Sequence, residues 1–469
     1  MKNKIDPDNT IIIEGTVSVP KKLLSNDDVE AIYSELKFPV REGPDIFGFR
    51  EDVDRFYLPK FWYLRRIGAR YKHLTVNREP ENILTPRPFN GELRAHQKNP
   101  SAGNISTPEL VRTLQKNRGV FAEAPCGSGK TVSGIYAASQ LGGRTIVVVP
   151  SEAVFKQWVE QIERFDPEAN IGYYGGGRKK LHGDIIIAML QTVYKHEGEK
   201  LDCDLLIVDE AHMIAAEQFQ KCVFKINFKY SLALTATGNR FDKLDPLFRN
   251  SLSHIKVSLD TDQMPVDVHL QPYEHPYHKV QEYSIESRNK FGLDLKIAKD
   301  EDRNVFLIHM LATMVRKGRK ILVLGKYKDQ LTLLAESLHE VTGAPYVMFM
   351  GATSAAAHKS IMKQMQNPKT IMFATLKKGG VGLDIQHFDC LVMALPVADP
   401  RQLIGRIQRY LPNKRKPVVI DVVDNIERLQ GRAYVRVRKG YLHIETATVI
   451  NHCPYLRFHY GGRLMKGGK

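Results

Sequence analysis

The 469-residue sequence has only five cysteines and two tryptophans, and no long uninterrupted apolar run. Cys126, Cys203, Cys222, Cys390 and Cys453 are scattered and form no CxxC pair, which argues against both a zinc site and a disulfide framework and leaves ordinary reduced thiols. No stretch reaches the roughly 18 uncharged apolar residues that a membrane-crossing helix needs. The opening MKNKIDPDNT lacks the apolar centre of a secretory signal. A soluble, cytoplasmic protein with no membrane partner is the expectation. Neither a repeat with a period of about 20 to 50 residues nor a low-complexity tract is present, so solenoid architectures are set aside.

Acidic side chains are also in short supply, 52 against 68 basic ones, for a net charge of +16. The imbalance is local. Residues 1–85 carry 14 basic and 14 acidic side chains, whereas residues 401–469 carry 15 and 4. A concentrated positive field suits a polyanion, because binding nucleic acid releases its counterions. A solubilising basic tail is the alternative.

A chain of this length exceeds one ordinary core, so two or three domains are expected. From about residue 118, short apolar runs alternate with helical stretches, the pattern of a mostly parallel α/β sheet. GVFAEA leads into a glycine loop, TVSGIYAASQLGG reads as a helix closed by Gly142 and Gly143, and TIVVVP precedes a helix that Ser151 can cap. DIIIAML, CDLLIVDEAH and YSLALTATG complete a doubly wound domain. A polar, less regular stretch follows over about 239–300, its QPYEHPYH interrupted by two prolines, and residues 261–300 within it read as a linker or insertion. Alternation then resumes through FLIHMLATMV, KILVLGKY, QLTLLAESLHEV, TIMFATL, CLVMALP, the helix PRQLIGRIQRYL and KPVVIDVVD, which make a second α/β domain. Residues 1–85 read as a separate small α+β module.

The chemistry starts at EAPCGSGKT, residues 123–131. A glycine loop between a buried strand and a helix points backbone N–H groups at an anion, and Gly127 and Gly129 let the backbone approach without a Cβ in the way. Lys130 would reach the β- and γ-phosphates of a nucleotide and Thr131 would hold Mg²⁺, with Ser128 completing the loop. Ala124 stands where the usual pattern has its first glycine. Asp209 and Glu210 end the apolar run LLIV. Acids there are costly unless they hold a cation or a proton, so Asp209 is expected to hold Mg²⁺ through water and Glu210 to orient the attacking water. Arg406 and Arg409, three apart on the expected helix with Gln402 on the same face, could both face one cleft.

APCGSGKT, DEAH, TAT at 235–237 and QLIGRIQR at 402–409 follow one another in the order and spacing found in superfamily 2 helicases. The resemblance covers about residues 86–425. It implies two tandem RecA-like parallel-sheet domains, at 86–260 and 301–425, with ATP and Mg²⁺ in the cleft between them. It also implies adenine reading by Gln97 and Arg94 in LRAHQ, coupling of hydrolysis to movement by Thr235 and Thr237, and ribose or domain-interface roles for Gly382 and Asp384. Arg406 and Arg409 match the arginines that reach the γ-phosphate, with Arg409 as the finger. VVVPSEAVFKQW and LQTVY resemble strand-binding motifs, so Ser151, Gln157, Gln191 and Thr192 are candidate phosphate contacts and Trp158 is read as packing.

The sequence resembles the UvsW-type phage DNA helicases, which rewind forks and migrate branched junctions, and whose N-terminal module RFYLPKFWYLRRIG resembles. The implied partner is forked or branched DNA in replication, recombination or repair, in the host-cell cytoplasm if the chain is phage-encoded. TATG replaces the commoner TATP. An RNA helicase, a restriction motor subunit and a non-motor, ATP-switched nucleic-acid clamp are the alternatives. Two readings stand for residues 55–73: a base-stacking surface built on Phe56, Tyr57, Phe61, Trp62, Tyr63 and Tyr71, or a module core. GGGRKK at 175–180 reads either as a phosphate contact or as a solvated hairpin tip. GRAYVRVRKGYLH, in the basic extension 426–469, reads as a half-buried strand or a DNA-facing element.

Overall fold

A computed structural model of the protein describes residues 6–39, 44–125, 127–211, 216–235, 244–286, 290–351, 355–365, 367–376, 387–397, 399–444, 446–456 and 464–466. The chain divides into two compact units, Met1–Thr261 and Asp262–Lys469. Among the described residues no helix is long and apolar enough to cross a membrane.

The first unit begins with a five-stranded sheet built from β1 (Ile11–Ile13), β2 (Thr16–Pro20), β3 (Arg50–Glu51), β4 (Arg55–Pro59) and β5 (Thr75–Asn77), in the order β3-β4-β2-β1-β5. A helix over Asn26–Glu35 starts where Ser25 caps it by accepting the Asp28 N–H. Phe56, Trp62 and Tyr63 are buried in this module's core with Val17, Val19, Ile32 and Leu58, and Phe61 is buried in the core of the domain that follows. Phe56, Phe61, Trp62 and Tyr63 are therefore core, Tyr57 is half-buried with its hydroxyl donating to Asp52, and the basic neighbours Arg65 and Arg66 are exposed.

The module sits on that next domain through a buried polar seam. Lys60 is fully buried, its Nζ 2.7 Å from Glu79 Oε1 and 2.7 Å from the Phe228 carbonyl. Arg118 donates to the other Glu79 oxygen, and the Gly15 N–H donates to Asn227 Oδ1.

The domain beyond the seam holds β6 (Gly119–Glu123), β7 (Thr145–Val149), β8 (Ile171–Gly175), β9 (Arg178–Lys180), β10 (Ile185–Met189), β11 (Leu201–Val208), β12 (Ile226–Thr235) and β13 (Lys256–Ser258), ordered β9-β8-β10-β7-β11-β12-β6-β13. Every pairing is parallel except the β8–β9 hairpin. The central strands read as unbroken apolar runs because helices cover both faces. One such helix, Lys130–Leu141, ends at Gly142, whose φ of 71° and N–H to the Ala138 carbonyl close it.

The second unit is an all-parallel sheet of β14 (Val266–Tyr273), β15 (Ile321–Gly325), β16 (Tyr346–Phe349), β17 (Ile371–Thr375), β18 (Cys390–Met393), β19 (Val418–Asp424), β20 (Ala447–Asn451) and β21 (Leu464–Lys466), ordered β16-β17-β15-β18-β19-β14-β20-β21. The two units thus carry tandem RecA-like parallel sheets, with the small α+β module on the first.

Three expectations are corrected here. The stretch 261–300 is not an irregular linker: it contributes β14, paired on both sides, and helices Tyr277–Glu286 and Lys290–Lys299. Pro272 is accommodated inside β14 because pairing with β20 stops at Leu270, so its missing N–H breaks no ladder there. The segment 431–439 is not a strand either. It belongs to a helix, Glu427–Lys439, that buries Leu429, Ala433, Arg436 and Val437. Arg436 is tolerated inside because Asp421 accepts two hydrogen bonds from its guanidinium, each 2.9 Å. The extension after residue 426 is likewise part of the second sheet's domain, supplying β20 and β21.

Candidate ATP site and nucleic-acid edge

In a parallel sheet the strand C-termini share one edge, and the first unit gathers its polar side chains there. The loop after β6 runs through Gly127 and Gly129, at φ 93° and 81°, into the helix that starts at Lys130. A side chain at Gly129 would place its Cβ 2.5 Å from Gln97 Nε2, so the turn and its neighbour both require glycine. Gln97 is buried, accepts the Arg94 N–H at 2.9 Å and donates to the Ser128 carbonyl at 3.2 Å, which brings it onto the loop. The Arg94 side chain is exposed.

Across the edge, β11 delivers Asp209 and Glu210. Glu210 adopts φ 51°, and Lys130 Nζ lies 2.6 Å from its Oε1. Asp209 is buried; its Oδ1 accepts the Glu210 N–H at 2.8 Å and its Oδ2 accepts the indole N–H of Trp158 at 2.7 Å. Burial, reinforced by the charge of Glu210, raises the Asp209 carboxyl to about 6 against the opposing pull of Lys130 and Trp158. Thr131 is buried at the start of the loop helix, and Thr235 ends β12, its carbonyl accepting the Ala124 N–H.

These residues fit a nucleoside triphosphate with its cation. The Ser128 hydroxyl is buried and has no hydrogen-bond partner among the described residues, as expected of a loop shaped to receive further acceptors. Hard oxygen donors, the Thr131 hydroxyl and the Asp209 carboxylate, are the kind that hold Mg²⁺. Lys130 can exchange its carboxylate partner for phosphate, and the exchange would free Glu210 to act on water.

The same edge carries the candidate strand contacts. Ser151 follows β7 and caps the helix Glu152–Phe165 by accepting the Val154 N–H; Gln157, on that helix, is exposed. The adjacent strand β10 leads into a short helix, Leu190–Val193, with Gln191 exposed and Thr192 half-buried. GGGRKK forms the β8–β9 hairpin, with Gly176 and Gly177 at its open tip. Trp158, read as packing, is fully buried as expected, but its bond to Asp209 was not visible in the sequence.

Arg406 and Arg409 belong to the second unit. The helix Arg401–Ile407 contains Arg406 but stops short of Arg409, contrary to the single helix expected over 400–411. Two polar clamps end it. Gln408 donates to the Met264 carbonyl and the Thr446 hydroxyl, and Lys414 Nζ donates to the carbonyls of Ile407 and Arg409. Thr237, Gly382, Asp384 and the side chain of Gln402 lie outside the described residues.

Two family models match the chain: the res subunit of type III restriction enzymes over residues 90–240, and the helicase conserved C-terminal domain over residues 302–411. The chain belongs to the superfamily 2 helicases. As a superfamily 2 helicase it is an ATP-dependent enzyme that acts on nucleic acid. It is 24% identical to "Putative ATP-dependent RNA helicase L396" of Acanthamoeba polyphaga mimivirus, over 87% of this chain and 80% of that one. It is 23% identical to "Probable helicase D10" of Escherichia phage T5, over 67% and 71%. Among solved structures it is similar to phage T4 UvsW, with 14% identity, coverage of 94% and 99%, and a TM-score of 0.39.

Proposed function

We propose that this helicase is an ATP-driven DNA translocase that unwinds or remodels forked and branched DNA, by branch migration or fork regression, in phage replication, recombination or repair. The observation that carries the reading is the Lys130–Glu210 pair beside a buried Asp209, on the same sheet edge as the strand-contact candidates. In this reading Gly127, Ser128, Gly129 and Lys130 hold the phosphates, Thr131 and Asp209 hold Mg²⁺, and Gln97 and Arg94 read the base. Glu210 orients the attacking water, and Arg406 and Arg409 are supplied by the second domain, with Asp384 beside the nucleotide. Ser151, Gln157, Gln191 and Thr192 grip the strand, and domain closure and opening drive each step.

DNA as substrate is supported by the likeness of the motifs to UvsW-type phage DNA helicases. The mimivirus relative, named for RNA, supports RNA as the second reading. The water-activating role proposed for Glu210 counts against a non-motor clamp. The deciding experiment is ATP hydrolysis by wild type and Glu210→Gln, alone and with single-stranded DNA, duplex, a four-way junction and matched RNA. Strongest stimulation by the junction, with an inactive variant, is the expected result. Equal or stronger stimulation by RNA would move the substrate to RNA, and an active Glu210→Gln enzyme would remove Glu210 from its role.

A further inference from the structure

Trp158 occupies a position that neither nucleotide nor strand chemistry requires, and it touches both halves of the edge. Its ring is fully buried and lies against the phosphate-loop helix, so closely that a Cβ at Gly134 would stand 2.7 Å from Trp158 Cη2. Its N–H donates to Asp209 Oδ2 at 2.7 Å. An indole N–H can only donate, so the bond fixes which carboxylate oxygen faces the ring and leaves Oδ1 to the Glu210 N–H. Both Asp209 oxygens are thereby oriented from within the protein. The backbone that carries Trp158 is the helix capped by Ser151, and the preceding residue, Gln157, projects to the surface. One rigid helix thus has a strand-contact candidate at its cap, another at an exposed position, and a bond to the cation carboxylate from the adjoining residue.

We infer that Trp158 is a positioning residue that couples nucleic-acid engagement at Ser151 and Gln157 to the orientation of Asp209. The inference rests on the proposed roles of those residues. A displacement of the helix when Ser151 and Gln157 take hold of a phosphate backbone would be delivered to Asp209 through a single short hydrogen bond. Groups that orient a metal ligand from behind typically change metal affinity or activity by about 10- to 100-fold when removed.

Trp158→Phe keeps an aromatic ring beside Gly134 and removes only the donor. In the full-length variant the expected outcome is a roughly tenfold loss of nucleic-acid-stimulated kcat, with KM for ATP changed less than about twofold, and a several-fold rise in the Mg²⁺ concentration giving half-maximal rate. A purely structural role would instead lower the thermal midpoint and leave the Mg²⁺ dependence in place. A second readout needs no turnover. In Trp62→Phe, Trp158 is the sole tryptophan, and single-stranded DNA added without nucleotide should change its emission; this measurement stands even if Trp158→Phe does not fold.

Unchanged emission, or wild-type stimulation and Mg²⁺ dependence in Trp158→Phe, overturns the coupling while the helicase reading survives. If no nucleic acid stimulates wild type, the strand-contact reading fails and the coupling fails with it.

Discussion

Two of the first unit's lysine–glutamate pairs have nearly equal lengths, 2.6 Å for Lys130–Glu210 and 2.7 Å for Lys60–Glu79, and they serve opposite ends. Lys60 and Glu79 are sealed, with side-chain exposures of 0% and 2%, and the ammonium also donates to backbone carbonyls of the neighbouring domain. Lys130 and Glu210 retain 12% and 22% exposure, and Lys130 sits at the mouth of a glycine loop. A sealed pair cannot change partners, because separating it strands a charge out of water. A partly exposed pair can, because water or an incoming anion replaces either partner. The first pair fastens a module to a domain; the second is made to be exchanged.

The sharpest way to break this contrast is Lys60→Met. Lys60→Met leaves Glu79 buried with Arg118 as its cation, which should destabilise the first unit by up to about 3 kcal/mol, read by denaturant unfolding, and adding Glu79→Gln should recover part of the loss. A loss below about 1 kcal/mol would mean that the seam is not what holds the module. Next in size, Lys130→Ala and Glu210→Gln should each lower ATP turnover by at least about a hundredfold, with nucleic-acid binding retained in a filter or anisotropy assay. Arg409→Ala should lower hydrolysis more than ATP binding; equal losses would argue against a finger.

Titration distinguishes the pairs at smaller scale. Burial lowers Lys60 to about 8, below its usual 10.5, so the unfolded chain binds more protons between these values and stability should rise with pH from about 8 to 10.5. The rise should vanish in Lys60→Met. Asp209, raised to about 6, works in the other direction. Protonation below that pH removes the anion that would hold a cation, so kcat/KM should fall about tenfold per unit on the acid side of 6. The smallest expected effect is that of Lys130→Ala on stability, within about 1 kcal/mol by thermal unfolding.

Much of this was legible because local chemistry signals itself. Ser151 before a helix, Gly142 after one, and apolar runs ending in Asp209 each declare an element boundary without reference to the rest of the chain. Legibility failed where a tertiary partner changes what a residue can do. Arg436 falls on a core-facing helical position, so RAYVRVRK looks like a two-residue alternation until Asp421, supplied by β19, neutralises the arginine. In QPYEHPYH the prolines suggested a break, and Pro272 is acceptable in β14 because, among the described residues, pairing with β20 stops at Leu270 while β19 stays paired on the other side. For Trp158, 51 positions separate donor from acceptor, and no local pattern joins them. Arg409 lost its place on the helix to Gln408 and Lys414, whose partners include the start of the second unit.

The position of β14 has a consequence for how the chain is made. It is the first strand of its unit to leave the ribosome, yet it pairs with β19, where Asp267 faces Val418, and with β20, where Val266 faces Ala447. At about 5–20 residues per second, synthesis leaves that strand without either neighbour for many seconds after the first unit has all of its own strands. The birth of this motor is therefore asymmetric: one half can mature during translation, while the other waits for its last quarter before its opening strand has anywhere to go.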